Sequence, residues 1–363
     1  MKLLKKGSVK DIYSDTENLL FKFSDRYSIY DWGEMPNSIP SKGLSLLNFT
    51  FTTFKFLEDS KNWKEWEVES DKLKENYYIC KSLNEFRNDG LNTHLIGKTE
   101  VDNDSFLSVQ KMNIPNVTFK DESWNYSEYE DSTLINTLIP LEVIFRFSIP
   151  SGSSLLKRVG DASYLKVLGL SNAPIEGDEF AEPIIEFSTK LEEKDRYIDY
   201  DTARDISGMS CVEFESLKSK AILIALRLKD YFLESGLELC DGKFEFSYAE
   251  FDSEGKRNIK LIDSIGPDEL RLTKDGVQLS KEVLRRFYED SPWYSDLETA
   301  KKKAKDTNRI DWKDICIKDL GSTPDNLKDE QVELVSKMYQ GLSLALVNDT
   351  KLLNECIPRI KEL

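Results

Sequence analysis

The sequence predicts an α+β (α/β) fold with two lobes. Strand-like segments dominate the first part of the chain, and strands mixed with helical segments follow. The length of 363 residues suggests about two domains. We therefore expect a β-rich N-terminal lobe over residues 1–112, an insertion or loop over 113–137, a larger mixed lobe over 138–290 and a helical C-terminal extension over 291–363.

The N-terminal lobe is predicted from apolar segments separated by turns. Leu19–Phe23 and Phe106–Met112 are predicted strands, because both are short and rich in residues that favour strands. Trp32–Gly43 is rich in turn-forming residues. A helix is predicted over residues 44–57, although Phe and Thr weaken its helix propensity. The segment 113–137 is polar, acidic and rich in turn formers, which predicts a loop or insertion.

The mixed lobe contains a strand and a long helix with clear sequence signals. Leu138–Phe147 is rich in apolar and β-branched residues, which predicts a strand. Ser210 and Glu213 have the spacing of a capping box, which predicts the start of a helix over residues 214–235. Gly236 is placed to end that helix, since glycine adopts the left-handed backbone conformation that follows many helices.

The C-terminal extension is predicted to be helical. Ser280–Tyr288 begins a charged segment with helical periodicity. Asp329–Val347 carries apolar residues at helical spacing, so we expect this segment to pack on the body of the protein.

Composition restricts the class of protein. The formal net charge of −16 and the isoelectric point near 4.8 argue against a nucleic-acid or anionic-membrane binder. The sequence has neither an apolar run of membrane-spanning length nor the apolar core of a signal peptide. Five scattered cysteines are typical of a reducing compartment. We expect a cytoplasmic protein that is a monomer or small homo-oligomer.

The chain has one histidine, His94, and this count restricts the chemistry. Catalysis by a Ser–His or Cys–His pair and His-rich zinc sites fit poorly, because a lone histidine at a turn is usually structural. Chemistry would have to depend on carboxylates, lysine, arginine and a metal ion. That set of groups suits phosphoryl transfer, which depends mainly on positioning and charge stabilisation.

A predicted β-hairpin brings charged residues together. Asp241–Phe246 and the segment that starts at Leu261 flank a polar turn over residues 252–256. With the turn centred near residue 254, Glu245 and Asp263 would lie opposite each other and repel. A bound Mg²⁺ would turn that repulsion into coordination.

Two cations flank the predicted acidic pair, and together they suggest a nucleotide–metal site. Lys243 and Arg271 could hold phosphate oxygens. The surrounding apolar residues favour a hairpin covered on both faces, where charges are retained when paired or coordinated. A solvated hairpin face with ordinary surface pairs remains the alternative.

Three further segments are candidates for phosphate binding. Leu4–Tyr13 places Gly7 among lysines, and a glycine turn can present backbone N–H groups to phosphate. Arg146–Arg158 combines arginines with serine hydroxyls. Glu182–Lys190 is a predicted strand that leads to Ser-Thr-Lys. A frayed basic terminus, a serine-rich loop and a charged loop are the respective alternatives.

Taken together and in order, these segments resemble the SAICAR synthetases, the phosphoribosylaminoimidazole-succinocarboxamide synthases of purine biosynthesis. The resemblance extends over nearly the whole chain, through Gly7–Tyr13, Ser24–Asp31, Asn37–Gly43, Pro140–Arg146, Ser151–Ser154, Glu182–Ile185, Ser188–Lys190, Asp241–Phe246, Leu261–Asp263 and Arg271. It implies an ATP-grasp-like fold with two lobes. It also implies a reaction in which ATP, L-aspartate and carboxyaminoimidazole ribonucleotide (CAIR) give SAICAR, ADP and phosphate through an acyl phosphate.

The resemblance also implies roles for individual residues. The implied Mg²⁺ ligands are Glu245 and Asp263. The implied contacts to ATP, the co-substrate, are Gly7, Ser8, Lys10, Lys111, Glu142 and Lys243, in addition to the two metal ligands. The implied contacts to the ribonucleotide phosphate are Arg146, Ser153, Ser154 and Arg271. Segments on the substrate or aspartate side contain Asp31, Lys42, Lys190 and Asp195. Charge on the transferred phosphoryl group would be neutralised by the catalytic cations Lys10, Lys243 and Arg271.

The chain departs from the family pattern at a few positions. Many relatives have lysine at Ser8 and glutamate at Ser264, and the turn after Arg146 is one residue longer here, which leaves Ser153 and Ser154 as alternatives. Two other functions therefore stay open beside the ligase. They are a small-molecule kinase with the same two-lobed ATP site and a non-catalytic nucleotide-binding homologue.

Overall fold

A computed structural model describes residues 1–307 and 309–363, and these residues form two compact units. The first unit comprises residues 1–49, 97–108 and 272–363, and the second comprises 50–96 and 109–271. Both units are discontinuous in sequence, whereas the predicted lobes were contiguous. Position 308, inside the predicted C-terminal extension, lies outside the described residues.

The chain contains helices and strands throughout its described length. The strands are β1 (Lys2–Lys6), β2 (Lys10–Asp15), β3 (Asn18–Phe23), β4 (Leu95–Val101), β5 (Asp104–Gln110), β6 (Thr118–Lys120), β7 (Ser123–Asn125), β8 (Thr137–Ser148), β9 (Glu179–Thr189), β10 (Tyr197–Ile198), β11 (Glu238–Phe251), β12 (Arg257–Ile262), β13 (Leu270–Lys274) and β14 (Val277–Gln278). The α-helices are α1 (Lys42–Glu58), α2 (Lys61–Lys64), α3 (Asp71–Lys74), α4 (Tyr77–Asp89), α5 (Ala162–Val167), α6 (Tyr200–Ser207), α7 (Cys211–Glu234), α8 (Lys281–Glu289), α9 (Pro292–Asp306), α10 (Trp312–Asp314), α11 (Asp329–Ala345) and α12 (Lys351–Lys361). Short 3₁₀ turns lie at Ser127–Glu130 and Ser154–Lys157, and a π-helical turn lies at Ile315–Asp319.

The first unit combines an N-terminal sheet with the helical C-terminal segment. The sheet has the strand order β1-β2-β3-β5-β4, and its β1–β2 and β2–β3 pairs are antiparallel. In the C-terminal segment, α11 packs on α12 where Gly341 meets the backbone of Leu353. A Cβ atom at Gly341 would lie 2.8 Å from the Leu353 nitrogen, so only glycine allows this close approach.

The second unit is built around an antiparallel sheet with the strand order β10-β9-β8-β11, and β12 also pairs with β11. Helix α7 covers one face of this sheet. Its Phe214 ring lies 5.1 Å from the Phe187 ring of β9, and Leu217, Ala221 and Leu228 are buried. Burial of this apolar surface is the main stabilisation of the helix, as expected for an amphipathic helix.

Most of the predicted elements are confirmed. The predicted strands correspond to β3, β5, β8 and β9, and the predicted helices correspond to α1, α7, α8 and α11. The capping box at the start of α7 is present, and Gly236 follows its end with a φ of +69°. The segment 113–137 is more ordered than a loop, because it contains the β6–β7 hairpin and the buried Tyr129. No helix among residues 1–307 and 309–363 is long and apolar enough to cross a membrane.

Candidate functional site

One face of the second unit's sheet carries charged and polar side chains. Strand residues alternate between faces, so every second position on β8, β9 and β11 shares a face. We call this surface the charged face, and it consists of Glu142, Arg146, Glu186, Ser188, Lys190, Asp241, Lys243 and Glu245, with Lys190 directly after β9. The intervening positions carry apolar side chains, among them Val143, Phe145, Phe187, Phe244 and Phe246, and all five are buried.

Two glutamates face each other across the β8–β11 pair, and two lysines lie between them. Glu142 and Glu245 are direct cross-strand partners. The Lys190 Nζ atom lies 3.2 Å from Glu142 Oε1 and 2.7 Å from Glu245 Oε1. The Lys243 Nζ atom lies 2.5 Å and 3.1 Å from the same two oxygens. We call these four residues the carboxylate–lysine cluster, and its ammonium groups offset the repulsion between opposed like charges.

Electrostatic interactions keep three groups of the carboxylate–lysine cluster charged. Burial alone would raise the pKa of Glu142, but Lys243 and Lys190 lower it below its ordinary value. Burial opposes protonation of Lys243, yet the carboxylates of Glu245, Glu142 and Asp263 raise its pKa. The pKa of Lys190 is raised in the same way, chiefly by Glu245 against the effect of burial. Glu142, Lys190 and Lys243 are therefore all charged at neutral pH.

The predicted opposition of Glu245 and Asp263 across the hairpin is wrong by one residue. Glu245 pairs with Ile262 on β12, and its acidic neighbour is Glu142 on the other side of β11. Close to the turn, Phe251 and Arg257 pair as counting from residue 254 predicts. An irregularity between Tyr248 and Phe251 then shifts the register, as a β-bulge does when it adds one residue to one strand.

The Asp263 carboxylate nevertheless raises the pKa of Lys243, so Asp263 lies near the carboxylate–lysine cluster. It follows the last residue of β12 and has a φ of +66°. Its carbonyl group is 2.9 Å from His94 Nε2, so the single histidine contacts the backbone of this residue. The histidine ring is buried and packs edge-on against Phe54. This environment fits the structural role predicted for His94.

Carboxylate oxygens are suitable ligands for Mg²⁺, but those of this site do not form a complete coordination shell. Mg²⁺ prefers oxygen ligands and often takes only one or two carboxylates beside substrate phosphates. No group of three or more His, Cys, Asp or Glu residues in the described part of the chain is arranged to hold a metal ion. Glu245 and Asp263 can therefore supply part of a ligand set, and phosphate oxygens would have to supply more.

A second cluster lies further along the charged face, and we call it the arginine cluster. It consists of Arg146, Ser153, Ser154, Arg158, Glu186, Asp241 and Arg271. Arg146 donates from Nε to Glu186 and from Nη1 to Asp241 Oδ2 at 3.0 Å. Arg271 Nη1 donates to the same Asp241 oxygen at 3.0 Å. In the arginine cluster, negatively and positively charged side chains therefore alternate in the order Glu186, Arg146, Asp241 and Arg271.

Both serine alternatives contact the same arginine. Ser154 Oγ accepts from Arg146 Nη2 at 3.0 Å, and Ser153 Oγ lies 3.4 Å from Arg146 Nη1. Ser154 Oγ also lies 3.0 Å from the Tyr197 hydroxyl. Ser153 is buried and Ser154 is half-buried, so Ser154 is the better exposed of the two hydroxyls.

Several candidate residues lie in the first unit. Gly7 N donates to Lys10 O at 3.0 Å, and a Cβ atom at Gly7 would lie 2.4 Å from that oxygen, so this tight turn requires glycine. Lys10 Nζ lies 4.4 Å from the centre of the Phe21 ring. Lys42 is fully buried with Nζ 5.1 Å from the Tyr339 ring. The remaining two candidates there are Ser8 and the exposed Asp31.

Two further candidates in the second unit are not members of either cluster. Lys111 is exposed and follows the end of β5. Asp195 is exposed in the segment between β9 and β10, and partial desolvation together with the Glu142 carboxylate raises its pKa. That electrostatic effect places Asp195 within range of the carboxylate–lysine cluster.

Sequence reasoning gave no role to two charged residues of the site, Glu186 and Asp241. Glu186 and Asp241 lie two residues before Ser188 and Lys243 on their strands, so a strict count of alternate positions would have found both. Arg158 ends one of the segments predicted for phosphate binding, but its contact with Glu186, made after a 3₁₀ turn, has no such signal. Its placement depends on tertiary structure.

Comparisons with known proteins show the family to which the chain is similar. The model of a family described as SAICAR synthetase matches residues 3–300. A putative phosphoribosylaminoimidazole-succinocarboxamide synthase of Archaeoglobus fulgidus is 31% identical over 379 aligned residues, covering 98% of this chain and 99% of the relative. The phosphoribosylaminoimidazole-succinocarboxamide synthase of Saccharomyces cerevisiae is 33% identical and covers 74% of this chain and 75% of the relative.

Solved structures show the fold. A structure described as SAICAR synthase has a TM-score of 0.56 at 23% identity, covering 96% of this chain and 95% of its own. The Saccharomyces cerevisiae SAICAR synthase complexed with SAICAR has a TM-score of 0.55 at 23% identity, with the same coverage of both chains.

Proposed function

The chain belongs to the SAICAR synthetase family, and on this basis we propose that it is an ATP-dependent ligase that joins L-aspartate to the carboxylate of CAIR. The products are SAICAR, ADP and phosphate, and the reaction is a step of purine biosynthesis. The fold is that of the SAICAR synthases, a mixed α+β arrangement with an ATP-grasp-like plan.

The observation that carries this proposal is the division of charge along one sheet face. The arginine cluster contains three guanidinium groups against two carboxylates, so its formal charge is positive and suits a phosphomonoester. The carboxylate–lysine cluster together with Asp263 contains three carboxylates against two ammonium groups, so its formal charge is negative and suits a divalent cation.

The distance between the two clusters suits a substrate that has a phosphate at one end and a reacting carboxylate at the other. Glu142 and Arg146 are four residues apart on β8, which corresponds to about 13 Å along a strand. A ribonucleotide that lies along the strand can place its phosphate on the arginine cluster and its reacting carboxylate near the lysines. We propose that Arg146, Ser154, Ser153 and Arg271 hold the phosphate end.

We propose that Glu245 and Asp263 hold Mg²⁺ with the phosphates of ATP. The ion would neutralise charge that develops on the transferred phosphoryl group. Lys243 and Lys190 now contact the carboxylates, and an arriving triphosphate offers them oxygens of the same charge. The lysines can therefore exchange carboxylate for phosphate contacts when nucleotide binds.

The proposed chemistry has two steps. An oxygen of the CAIR carboxylate attacks the γ-phosphorus, the bond from that phosphorus to the leaving oxygen breaks, and ADP departs. The amine of L-aspartate then attacks the acyl carbon, the carbon–oxygen bond to phosphate breaks, and the nitrogen loses a proton. The cations Lys10, Lys243 and Arg271 are the proposed stabilisers of the developing charge. Neither step requires a histidine or cysteine.

The other proposed substrate contacts complete the set. Gly7, Ser8, Lys111 and Glu142 are proposed on the nucleotide side, and Asp31, Lys42, Lys190 and Asp195 on the side of the substrates. The five scattered cysteines are typical of a reducing compartment and so support a cytoplasmic location.

A coupled assay of ADP release tests the proposal. Purified protein with Mg²⁺, ATP and CAIR should release ADP at a rate that depends on L-aspartate, and the product should have the mass of the amide. A kinase would release ADP without aspartate and leave a phosphorylated product. A non-catalytic homologue would bind nucleotide without turnover, and either result would overturn the proposed ligase.

A further inference from the structure

Glu186 is a fully buried carboxylate whose two oxygens both accept charged or polar donors. One oxygen accepts from Arg146 Nε. The other, Oε1, accepts from Arg158 Nη2 at 2.6 Å and from the Tyr164 hydroxyl at 2.6 Å. The carboxylate therefore joins two arginines that come from different parts of the chain. The chemistry proposed above gives this residue no role.

The Glu186 carboxylate stays charged and links the guanidinium groups of Arg146 and Arg158. Burial would raise the pKa of its carboxyl group, but Arg146 and Arg158 outweigh that effect and lower it. Buried ion pairs often contribute little net stability compared with apolar residues of the same size. A buried carboxylate between two arginines is therefore better explained by what it positions than by the stability it adds.

Arg158 is the partner of Glu186 that faces solvent. Its side chain is 19% exposed, compared with 4% for Arg146. The guanidinium carbon lies 3.3 Å from the centre of the Tyr197 ring, so the group stacks on an aromatic face and its plane is restricted. The Arg158 Nε atom has no hydrogen-bond partner among the described residues.

Both arginines converge on one serine. Arg146 Nη2 donates to Ser154 Oγ at 3.0 Å, and Arg158 Nη1 donates to the backbone carbonyl of the same residue at 3.0 Å. The Tyr197 ring that stacks on Arg158 also places its hydroxyl 3.0 Å from Ser154 Oγ. Two guanidinium groups and one hydroxyl are thus gathered at the end of the charged face where the substrate phosphate is proposed to bind.

We propose that Arg158 is a further binding residue for the ribonucleotide phosphate, and that Glu186 is the positioning residue that holds Arg158 beside Arg146. The inference rests on the proposed function for the identity of the ligand. The site would take a phosphomonoester, since paired guanidinium groups match the geometry of phosphate oxygens. Tyr164 and Tyr197 restrict the same arginine from its other sides.

Substitution of Arg158 tests whether this residue contributes to the binding of CAIR and not to the chemical step. Arg158→Gln should raise the KM for CAIR by about tenfold or more, because it removes charge-assisted hydrogen bonds, while kcat and the KM for ATP change little. Arg158→Lys should recover part of the loss, because it keeps the charge without the planar fork. The matched control is Arg204→Gln, which removes an arginine on α6 that contacts Asp205 outside the arginine cluster and should leave every constant unchanged.

Variants of Glu186 and Tyr164 test the positioning role. Glu186→Gln should also raise the KM for CAIR, and combining it with Arg158→Gln should add little, because both changes remove the same contact. Should Glu186→Gln fail to fold, Tyr164→Phe removes only one hydrogen bond to Glu186 and should raise the same KM by a smaller factor. Fully additive effects, or a raised KM for L-aspartate in place of CAIR, would overturn the proposal.

A binding measurement keeps this inference separate from the proposed reaction. Calorimetric titration with ribose 5-phosphate needs no turnover, and Arg158→Gln should weaken its binding by a factor similar to the change in KM. If wild-type protein lacks aspartate-dependent turnover but this weakening is observed, the ligase assignment fails and the phosphate site stands. Equal binding of ribose 5-phosphate by wild-type and Arg158→Gln protein would contradict the phosphate site itself.

Discussion

Lys190 and Lys243 each contact both carboxylates of the opposed pair Glu142 and Glu245. In this arrangement each carboxylate has ammonium partners that a metal ion of the same sign could replace. Each lysine can in turn contact phosphate. At the scale of single residues, the four formal charges therefore balance, and we propose that ligands exchange for these internal contacts.

Removing one carboxylate tests this exchange. Glu245→Gln keeps the shape of the side chain but removes a charge that a divalent ion needs, so we expect kcat to fall by about 100-fold or more. The Mg²⁺ concentration for half-maximal nucleotide binding should also rise. Steady-state kinetics and calorimetric nucleotide titrations across a range of Mg²⁺ measure the two effects.

The control for that substitution lies on the same strand. Glu250→Gln changes an exposed glutamate near the end of β11 and should leave both quantities unchanged. Near-normal kinetics and Mg²⁺ dependence of Glu245→Gln would show that this carboxylate does not hold the metal.

Residue types could be predicted from the sequence more reliably than residue partners. The position of Lys243 and Glu245 on one hairpin strand could be predicted from the turn that follows them. The partner of Glu245 could not, since Glu142 lies on β8, about one hundred positions earlier in the chain. Pairing over such a separation depends on the assembled sheet and has no local sequence signal.

At the scale of elements, the β11–β12 hairpin shows what a single irregularity changes. Counting from the turn predicts the pair nearest the turn correctly and every pair beyond the bulge incorrectly. A slip of one residue moves side chains to the opposite face, so Asp263 would not share a face with Glu245 if the strand simply continued. The left-handed conformation of Asp263 ends the strand at that position.

Helix α7 is held at its start by a residue with two functions. Glu213 Oε2 accepts from the backbone N–H and the hydroxyl of Ser210, both at 2.8 Å, which completes the capping box. Its Oε1 accepts from Arg257 Nε at 2.8 Å, which ties the helix to β12. The capping box could be predicted from the Ser210–Glu213 spacing, but the arginine could not.

This arrangement predicts a pH dependence of stability. Burial would raise the pKa of Glu213, but hydrogen bonds from Arg257 and Ser210 lower it to about 2. A depressed pKa in the folded state stabilises the protein above the unfolded-state pKa of about 4.3, and this stabilisation is lost as pH falls toward 2. Glu213→Gln should therefore lower the free energy of unfolding at pH 7 by roughly 2 kcal/mol and flatten its fall below pH 5.

Urea unfolding at a series of pH values measures this difference. Glu215→Gln is the matched control, because it removes a half-buried glutamate of the same helix whose carboxylate pairs with Lys218 and is not part of the capping box. It should change the free energy of unfolding by about 0.5 kcal/mol or less at every pH. Parallel pH profiles for Glu213→Gln and wild type would show that the capping carboxylate does not carry the predicted stabilisation.

At the scale of the whole molecule, the two units do not follow the order of the chain. Residues 272–363 belong to the same unit as residues 1–49, and residues 50–96 belong to the other. Local patterns predicted the individual strands and helices, because periodicity and capping are encoded over a few residues. They could not predict which distant segments share a unit, because that depends on packing across the chain.

Charge shows the same difference between local and global properties. The net charge of −16 argues against a nucleic-acid or anionic-membrane binder, yet five cations are gathered on or beside one sheet face: Arg146, Arg158, Lys190, Lys243 and Arg271. An acidic protein can thus bind highly charged substrates through local clusters, in which each cation has a carboxylate partner until the ligand arrives.

The most direct test of the account is a crystal structure with Mg²⁺, a non-hydrolysable ATP analogue and CAIR. We expect the triphosphate and the ion at the carboxylate–lysine cluster, with Glu245 and Asp263 as metal ligands, and the CAIR phosphate on Arg146 and Arg271. Nucleotide bound elsewhere, with the contacts of Lys190 and Lys243 to both glutamates unchanged, would contradict the account.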